Sequence, residues 1–264
     1  MHPVLFEIPI FGGITIYTYG ALVATGFLAG ILWIVYETKR LNLDTARALD
    51  LIFYIIISAI IGSRLLFLIV TDPIRLIKQP WSLFTVWEGG LVFFGGLIAA
   101  TIVSIIYFRR KKMKILPNMD LFIPGIAIGH AFGRLGCLMA GCCHGKIIGD
   151  HWYAIVFPEN PDSFAPADTF LYPTQIIEAS GELLIFFALV LFRKHKKFDG
   201  QVFALYLIAY SILRFLNEML RGDVDRGYVI KGILSTSQSV SLVLFCIGTT
   251  LMVWGYRKLR RGHE

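Results

Sequence analysis

Seven stretches of this chain are each long and apolar enough to cross a lipid bilayer, which leaves few folds open. A helix rises about 1.5 Å per residue, so roughly 20 apolar residues span the hydrocarbon core. Such runs lie at about 14–36, 49–70, 90–108, 119–140, 174–192, 201–217 and 234–255. Inside the core each backbone amide must bond within its own segment, so these runs read as helices. Composition agrees: 56% of the 264 residues are apolar and only 16% charged, well outside the range of ordinary soluble domains. The expectation is an all-α, polytopic membrane protein forming one transmembrane domain over 1–264. Residues 1–13 hold no Lys or Arg. The apolar run after them exceeds a signal-peptide core and lacks a small-x-small cleavage site, so it is read as a retained first helix.

Charge then orients the spans. With the N-terminus outside, the cytoplasmic segments carry Lys39, Arg40 and Arg47; Arg109 to Lys112 and Lys114; Arg193, Lys194, Lys196 and Lys197; and Arg257, Lys258, Arg260 and Arg261. These are 16 of the 25 basic residues, and the outer segments hold six. The bias favours a cytoplasmic C-terminus. The net charge of +7 is explained by anchors at an anionic leaflet, and no basic stretch interleaved with aromatics points to nucleic acid. The longest irregular stretch, 141–173, holds Pro158, Pro161, Pro166 and Pro173; it reads as a small periplasmic head or lid. No internal repeat is evident, which weighs against an inverted-repeat transporter.

Arg64, Arg134 and Arg214 fall inside spans, where an arginine is expensive unless it pairs, reaches water or holds an anion. In this topology all three lie in outer halves, with Tyr19, Glu88, Gln175 and Glu178. Snorkelling explains a single arginine; the whole set implies a polar cavity open to the outer leaflet. Arg214, Glu218 and Arg221 follow at helical spacing, so Glu218 can hold either arginine, and Asp223, Asp225 and Arg226 read as a solvated turn. Arginine suits phosphate because its planar fork binds two oxygens. The inner halves are nearly bare, with Asp50 and Asp120 at the membrane edge.

The segment Gly133-Arg134-Leu135-Gly136-Cys137 to Gly141-Cys142-Cys143-His144-Gly145 concentrates this chemistry. Arg134, Cys137 and Gly141 share a face if the helix persists. Gly89-Gly90 and Gly95-Gly96 flank Leu91 to Phe94, as close helix packing or as irregular backbone beside a cavity. Cys137, Cys142, Cys143 and His144 supply enough soft ligands for zinc, but their close spacing lacks the paired Cys-x-x-Cys geometry of most sites, so no metal and no cofactor is expected. A disulfide of Cys137 with Cys142 or Cys143, a thiol role for Cys137 and Cys142, or plain packing all remain open. Cys246 reads as core.

These residues carry a resemblance. The chain resembles the prolipoprotein diacylglyceryl transferase family over nearly its whole length, in six ordered segments. They are Tyr19-Gly20; Gly62-Ser63-Arg64; Trp87-Glu88-Gly89-Gly90 to Gly95-Gly96; Gly133-Arg134-Leu135-Gly136 with Gly141 and Gly145; Pro173-Thr174-Gln175 to Glu178; and Arg214, Glu218 and Arg221. The resemblance implies a bacterial inner-membrane enzyme with its site toward the periplasm or outer leaflet. It implies transfer of the diacylglyceryl group of phosphatidylglycerol to the lipobox cysteine of an exported prolipoprotein, with release of glycerol phosphate. By the same resemblance Arg134 binds the lipid phosphate and Arg214 is a second clamp. Tyr19, Arg64, Glu218, Arg221, Gly90, Gly141 and Gly145 belong to the lipid site. The oligomeric state is left open.

The chain departs from the family pattern at four polar positions. Phe94 replaces a histidine proposed as base, Cys137 an asparagine, Cys142 a glutamate and Tyr172 a histidine. Glu88 is the favoured alternative base, with His144 and the arginine-lined phosphate itself as the others. The departures also admit a branch acting on another acceptor, and the arginines alone fit a transporter or binding protein for an anionic solute or phospholipid. Topology is testable directly. Reporter fusions after Lys112, Lys197 and Arg261 should read cytoplasmic and fusions within 145–170 exported; an exported readout at Lys197 would break the seven-span assignment.

Overall fold

The computed structural model describes residues 2–8, 14–85, 89–223, 227–230 and 233–261. It is mostly helical, with three two-stranded sheets. Seven helices are long and apolar enough to cross a membrane: α1 (Thr18–Arg40), α2 (Thr45–Thr71), α4 (Phe93–Arg110), α5 (Ile115–Ala140), α6 (Thr174–Phe192), α7 (Gln201–Leu220) and α8 (Thr236–Arg261), with the short α3 (Pro73–Lys78) after α2. Much of their surface is exposed Leu, Ile, Val and Phe, as expected of a multi-pass membrane protein whose solvent is lipid.

The ends of the spans differ from the hydropathy reading for local reasons. The first was expected from about residue 14, but Ile14–Tyr17 is strand β2, paired antiparallel with β1 (Val4–Ile8). Its β-branched and aromatic residues favour a strand, and α1 begins only at Thr18. The third was expected from residue 90. Gly89 and Gly90 have φ of +78° and +72°, which no helix accommodates, and α4 starts at Phe93. At their other ends α1 and α8 run on into basic residues, which suit the negative end of the helix dipole.

The chain divides into two compact units. The first combines Met1–Trp33 with Met119–Glu264. Here α1 crosses α5 on glycines: a Cβ at Gly26 would lie 2.8 Å from the Gly129 carbonyl oxygen, and one at Gly30 2.9 Å from that of Gly125. Small residues allow helix backbones to approach where lipid supplies no hydrophobic drive. Trp33 locks this crossing, its Nε1 donating to the Leu121 carbonyl at 3.3 Å and its ring meeting Phe186 edge-on at 5.5 Å. Ile123, Ala127, Leu189, Val202, Tyr206 and Leu207 form the core between α5, α6 and α7.

Asp120, expected at the membrane edge, is a buried tertiary cap. Its carboxylate accepts from the Gly200 and Phe203 amides at 2.8 and 2.9 Å and pairs with Lys196 at 3.2 Å. Gly200 precedes α7 without a side chain to cap it, so a neighbouring helix supplies the acceptor that the first turn needs. Cys246 also departs from expectation: it is exposed on α8 rather than core. An apolar run signals burial only in a soluble protein; here it equally marks a lipid-facing side.

The second unit is Ile34–Asn118. Its α2–α4 seam resolves the glycine pattern. Gly95 sits against the Gly62 backbone and Gly96 against Ala59 and Ser63, so this pair is helix packing. Gly89–Gly90 is irregular backbone in the left-handed region. Leucine at Gly95 therefore overpacks the seam, and Gly95→Leu should destabilise by about 1–3 kcal/mol. Gly20 meets nothing within 4 Å, so Gly20→Ala should be neutral or gain up to about 1 kcal/mol. Thermal unfolding of both variants in one detergent checks the contrast.

Candidate active site

Segment 141–173 folds over the end of α5. Gly141 stops that helix with φ +73°, so it leaves the helical face expected of it with Arg134 and Cys137. A Cβ on Gly141 would lie 3.0 Å from the Ala165 nitrogen, and the Phe164 amide caps the Ala140 carbonyl at 3.1 Å. Strand β3 (Ile155–Val156) pairs with β4 (Phe170–Leu171), and Leu138, Phe157 and Leu171 form a small core beneath them. Gly145 touches the Tyr172 backbone, and Gly222 sits 2.5 Å, measured from an added Cβ, from the Gly145 carbonyl oxygen. Lys146 then bonds the Leu220 carbonyl at 2.8 Å and Gly222 that of His144 at 3.0 Å. The glycines thus splice this loop to the end of α7, where Arg221 stands.

One continuous ion network links α5, α6 and α7. Glu178, 1% exposed, offers one oxygen to Arg134 at 3.0 Å and the other to Arg214 at 3.1 Å. Asn217 donates to that second oxygen at 2.8 Å. Arg214 also bonds Ser237 at 2.9 Å and pairs with Glu218 at 2.8 Å. Glu218 reaches on to Arg221 at 3.5 Å, so it holds both arginines, as its spacing suggested. Arg221 then grips Asp223, which is an ion-pair partner and not simply solvated, while Asp225 and Arg226 lie outside the described residues. Burial works against the Arg221 charge, but the Asp223 hydrogen bond and the nearby Cys143, Asp223 and Glu218 charges outweigh it and raise its pKa. In a membrane interior these pairs persist because each member lacks water as an alternative.

The other end of the network was missed in the sequence. His130 Nε2 accepts from Arg134 Nε at 3.3 Å, and its Nδ1 lies 2.8 Å from the Glu182 carboxylate. Glu182 is fully buried. The signal was present in spacing: His130 precedes Arg134 by four residues, and Glu182 follows Glu178 by four. Two consecutive turns of α5 thus face two of α6.

Tyr19, at the start of α1, rests on Gly136, its Cδ2 3.0 Å from where a Cβ would sit, within electrostatic reach of Arg134 and the three cysteines. Cys137, Cys142 and Cys143 are free thiols. Hydrogen bonds from the Cys137 and Cys142 thiols push the Cys143 thiol down against burial, with the Arg221 and Arg134 charges adding. The bonds to Cys137 and Cys143, with burial, push Cys142 up. His144 Nδ1 lies 3.1 Å from the Gly145 carbonyl oxygen.

Glu88 lies outside the described residues. Arg64 belongs to the second unit, where it is 1% exposed. There it donates to the Ser82 carbonyl and Thr85 hydroxyl, each at 3.0 Å, and to the Gly89 carbonyl, with its guanidinium 5.5 Å over the Phe67 ring. The same ring stands where a Cβ on Gly90 would go. Arg64 thus ties the loop before α4 to α2.

A family model described as prolipoprotein diacylglyceryl transferase matches residues 3–254. The phosphatidylglycerol–prolipoprotein diacylglyceryl transferase of Clostridium tetani is 36% identical over 252 residues, covering 94% of this chain and 95% of that protein. That of Finegoldia magna is 34% identical over 96% of each chain. That of Legionella pneumophila (strain Lens) is 30% identical over 97% of this chain and 98% of its own.

Glu178 is the shared anion of Arg134 and Arg214, so Glu178→Gln leaves two buried guanidinium groups short of charge. A loss of about 3–5 kcal/mol is expected, the scale for breaking a buried pair. Glu159→Gln, at an exposed position, should stay within about 0.5 kcal/mol. Thermal unfolding of the two variants in detergent measures the difference.

Proposed function

Because the chain belongs to the prolipoprotein diacylglyceryl transferase family, we propose that it transfers the sn-1,2-diacylglyceryl group of phosphatidylglycerol to the lipobox cysteine of exported prolipoproteins. The working place is a bacterial inner membrane, with the site toward the outer leaflet. The observation that carries this reading is the Arg134–Glu178–Arg214 bridge, with both guanidinium groups set on one carboxylate at 3.0 and 3.1 Å. Two fixed forks in a water-poor setting suit a phosphodiester, whose charge grows as it departs.

The lipobox thiolate attacks the sn-3 glyceryl carbon, the bond from that carbon to the phosphate oxygen breaks, and glycerol phosphate leaves with the electron pair. Thiolate is the nucleophile, so the thiol proton must go elsewhere. Arg134 and Arg214 hold the departing phosphate. Glu218, Arg221 and Tyr19 support them, and Gly141 and Gly145 let the covering loop close on α7. Arg64 and Gly90 act on the loop before α4, which carries Glu88. Glu88 is the proposed proton acceptor because Phe94 cannot take a proton. His130, set between Glu182 and Arg134, competes for that role with a geometry of its own, and His144 is the third choice.

Arg134→Ala and Arg214→Ala should each lose about 2.7–4 kcal/mol of transition-state stabilisation, roughly 10²–10³ in rate. Lysine should restore only part, having charge without the fork. The assay follows thioether formation on a lipobox peptide with labelled phosphatidylglycerol; near-native rates in both alanine variants would overturn the assignment. In pH–rate profiles from the same assay, Glu88→Gln should remove the acidic limb while His130→Gln and His144→Ala keep it. Loss of the limb in one histidine variant alone would move the proton to that residue.

A further inference from the structure

The cysteines at the end of α5 take no part in the reaction above, yet the fold gathers them. The Sγ atoms of Cys137, Cys142 and Cys143 all lie within 4.8 Å of one another. Three sulfurs around one ion at a metal–sulfur distance of about 2.3 Å would stand roughly 4 Å apart in a trigonal arrangement. The thiols are therefore already near the spacing that an ion requires. In the sequence the intervals of five and one residues between them weighed against a metal, because they lack paired Cys-x-x-Cys spacing and a continuous helix would spread them around its circumference.

A specific chain path brings them together. Cys137 sits on the last turn of α5, and Gly141 reverses the chain at φ +73°. Cys143 itself is left-handed at φ +59°, a region that non-glycine residues seldom occupy. The loop is held from α6: Gln175 Nε2 donates to the Cys142 carbonyl and Thr174 Oγ1 to the Cys143 carbonyl, each at 2.9 Å. Both residues are 1% exposed. The loop carrying Cys142 and Cys143 is thus fixed by bonds to its backbone carbonyls, and the Cys142 thiol reaches back to the Cys137 carbonyl at 3.8 Å. Arg134 and Arg221 lie within electrostatic reach of Cys143, so fixed cations meet the charge that thiolates bring.

We propose that Cys137, Cys142 and Cys143 form a three-thiolate site for one soft d¹⁰ cation, monovalent copper or zinc. Soft thiolates favour these ions over magnesium, calcium or manganese. Among the described residues no fourth His, Cys, Asp or Glu joins the cluster. That suits three-coordinate copper, whereas zinc would take a water as its fourth ligand. Binding replaces thiol protons by the cation and releases them to solvent, with no change in sulfur oxidation state.

The test uses the full-length protein in detergent, reduced and stripped of metal. Monovalent copper is titrated against bicinchoninate in one arm and zinc against pyridylazoresorcinol in the other. One equivalent per chain in either arm supports the site, and the arm that responds identifies the ion. Cys137→Ser, Cys142→Ser and Cys143→Ser should each weaken binding at least 10–100-fold, roughly the scale on which even outer-shell losses register. Cys246→Ser should bind as wild type. Alkylating the wild-type thiols with iodoacetamide should abolish uptake without any substitution, which separates ligand loss from misfolding. No uptake in either arm, or uptake that survives in the triple serine variant, overturns the proposal. The readout is binding, so its failure leaves the transferase reading to its own assay.

Discussion

The structure depends on one carboxylate that serves two arginines inside a membrane. Glu178 cannot be treated as half of a salt bridge, because each of its oxygens fixes a different helix: Arg134 on α5 and Arg214 on α7. In water such contacts contribute little. Buried between α5, α6 and α7, Glu178 has little solvent to exchange for its partners, so the bridge specifies how three helices meet. The rest of the network extends from it, through Glu218 to Arg221 on one side and through His130 to Glu182 on the other.

The arrangement also balances its charges. Arg134, Arg214 and Arg221 face Glu178, Glu218 and Asp223, so the cluster is close to balanced. A balanced cluster can be inserted and kept in a membrane, whereas uncompensated arginines are expensive there. It also presents preformed donors, which is the property that a charged transition state exploits. One set of ion pairs thereby joins α5, α6 and α7 and leaves its guanidinium groups fixed in place.

Hydropathy made the seven helices legible because roughly 20 apolar residues admit little else in a bilayer. Their ends were less legible, since strand pairing at Ile14–Tyr17 and left-handed glycines at 89 and 90 act locally and hydropathy is blind to both. Arg134, Arg214, Glu218 and Arg221 stood out because charge is rare in such a chain. His130 and Glu182 were passed over, although they repeat the four-residue spacing from Arg134 and Glu178. The capping role of Asp120 was not legible, because its partners, the Gly200 and Phe203 amides, carry no side-chain signal. Cys246 was misplaced by carrying a soluble-protein rule into lipid. The thiols were noticed as possible zinc ligands or disulfide partners, but their convergence could not be read, because it depends on the chain reversal at Gly141 and Cys143.

The cap that Asp120 places on α7 has a mechanical consequence. At one end, α5 holds the first turn of α7 through that carboxylate. At the other, the loop leaving α5 is stitched to the last turn of α7 by the Lys146–Leu220 and His144–Gly222 bonds. Two helices tied at both ends, with Glu178 pinned between them, cannot shear or tilt independently without breaking buried polar bonds. They behave as a rigid frame. Movement within this unit is left to elements outside that frame, while Arg134 and Arg214 keep their shared carboxylate.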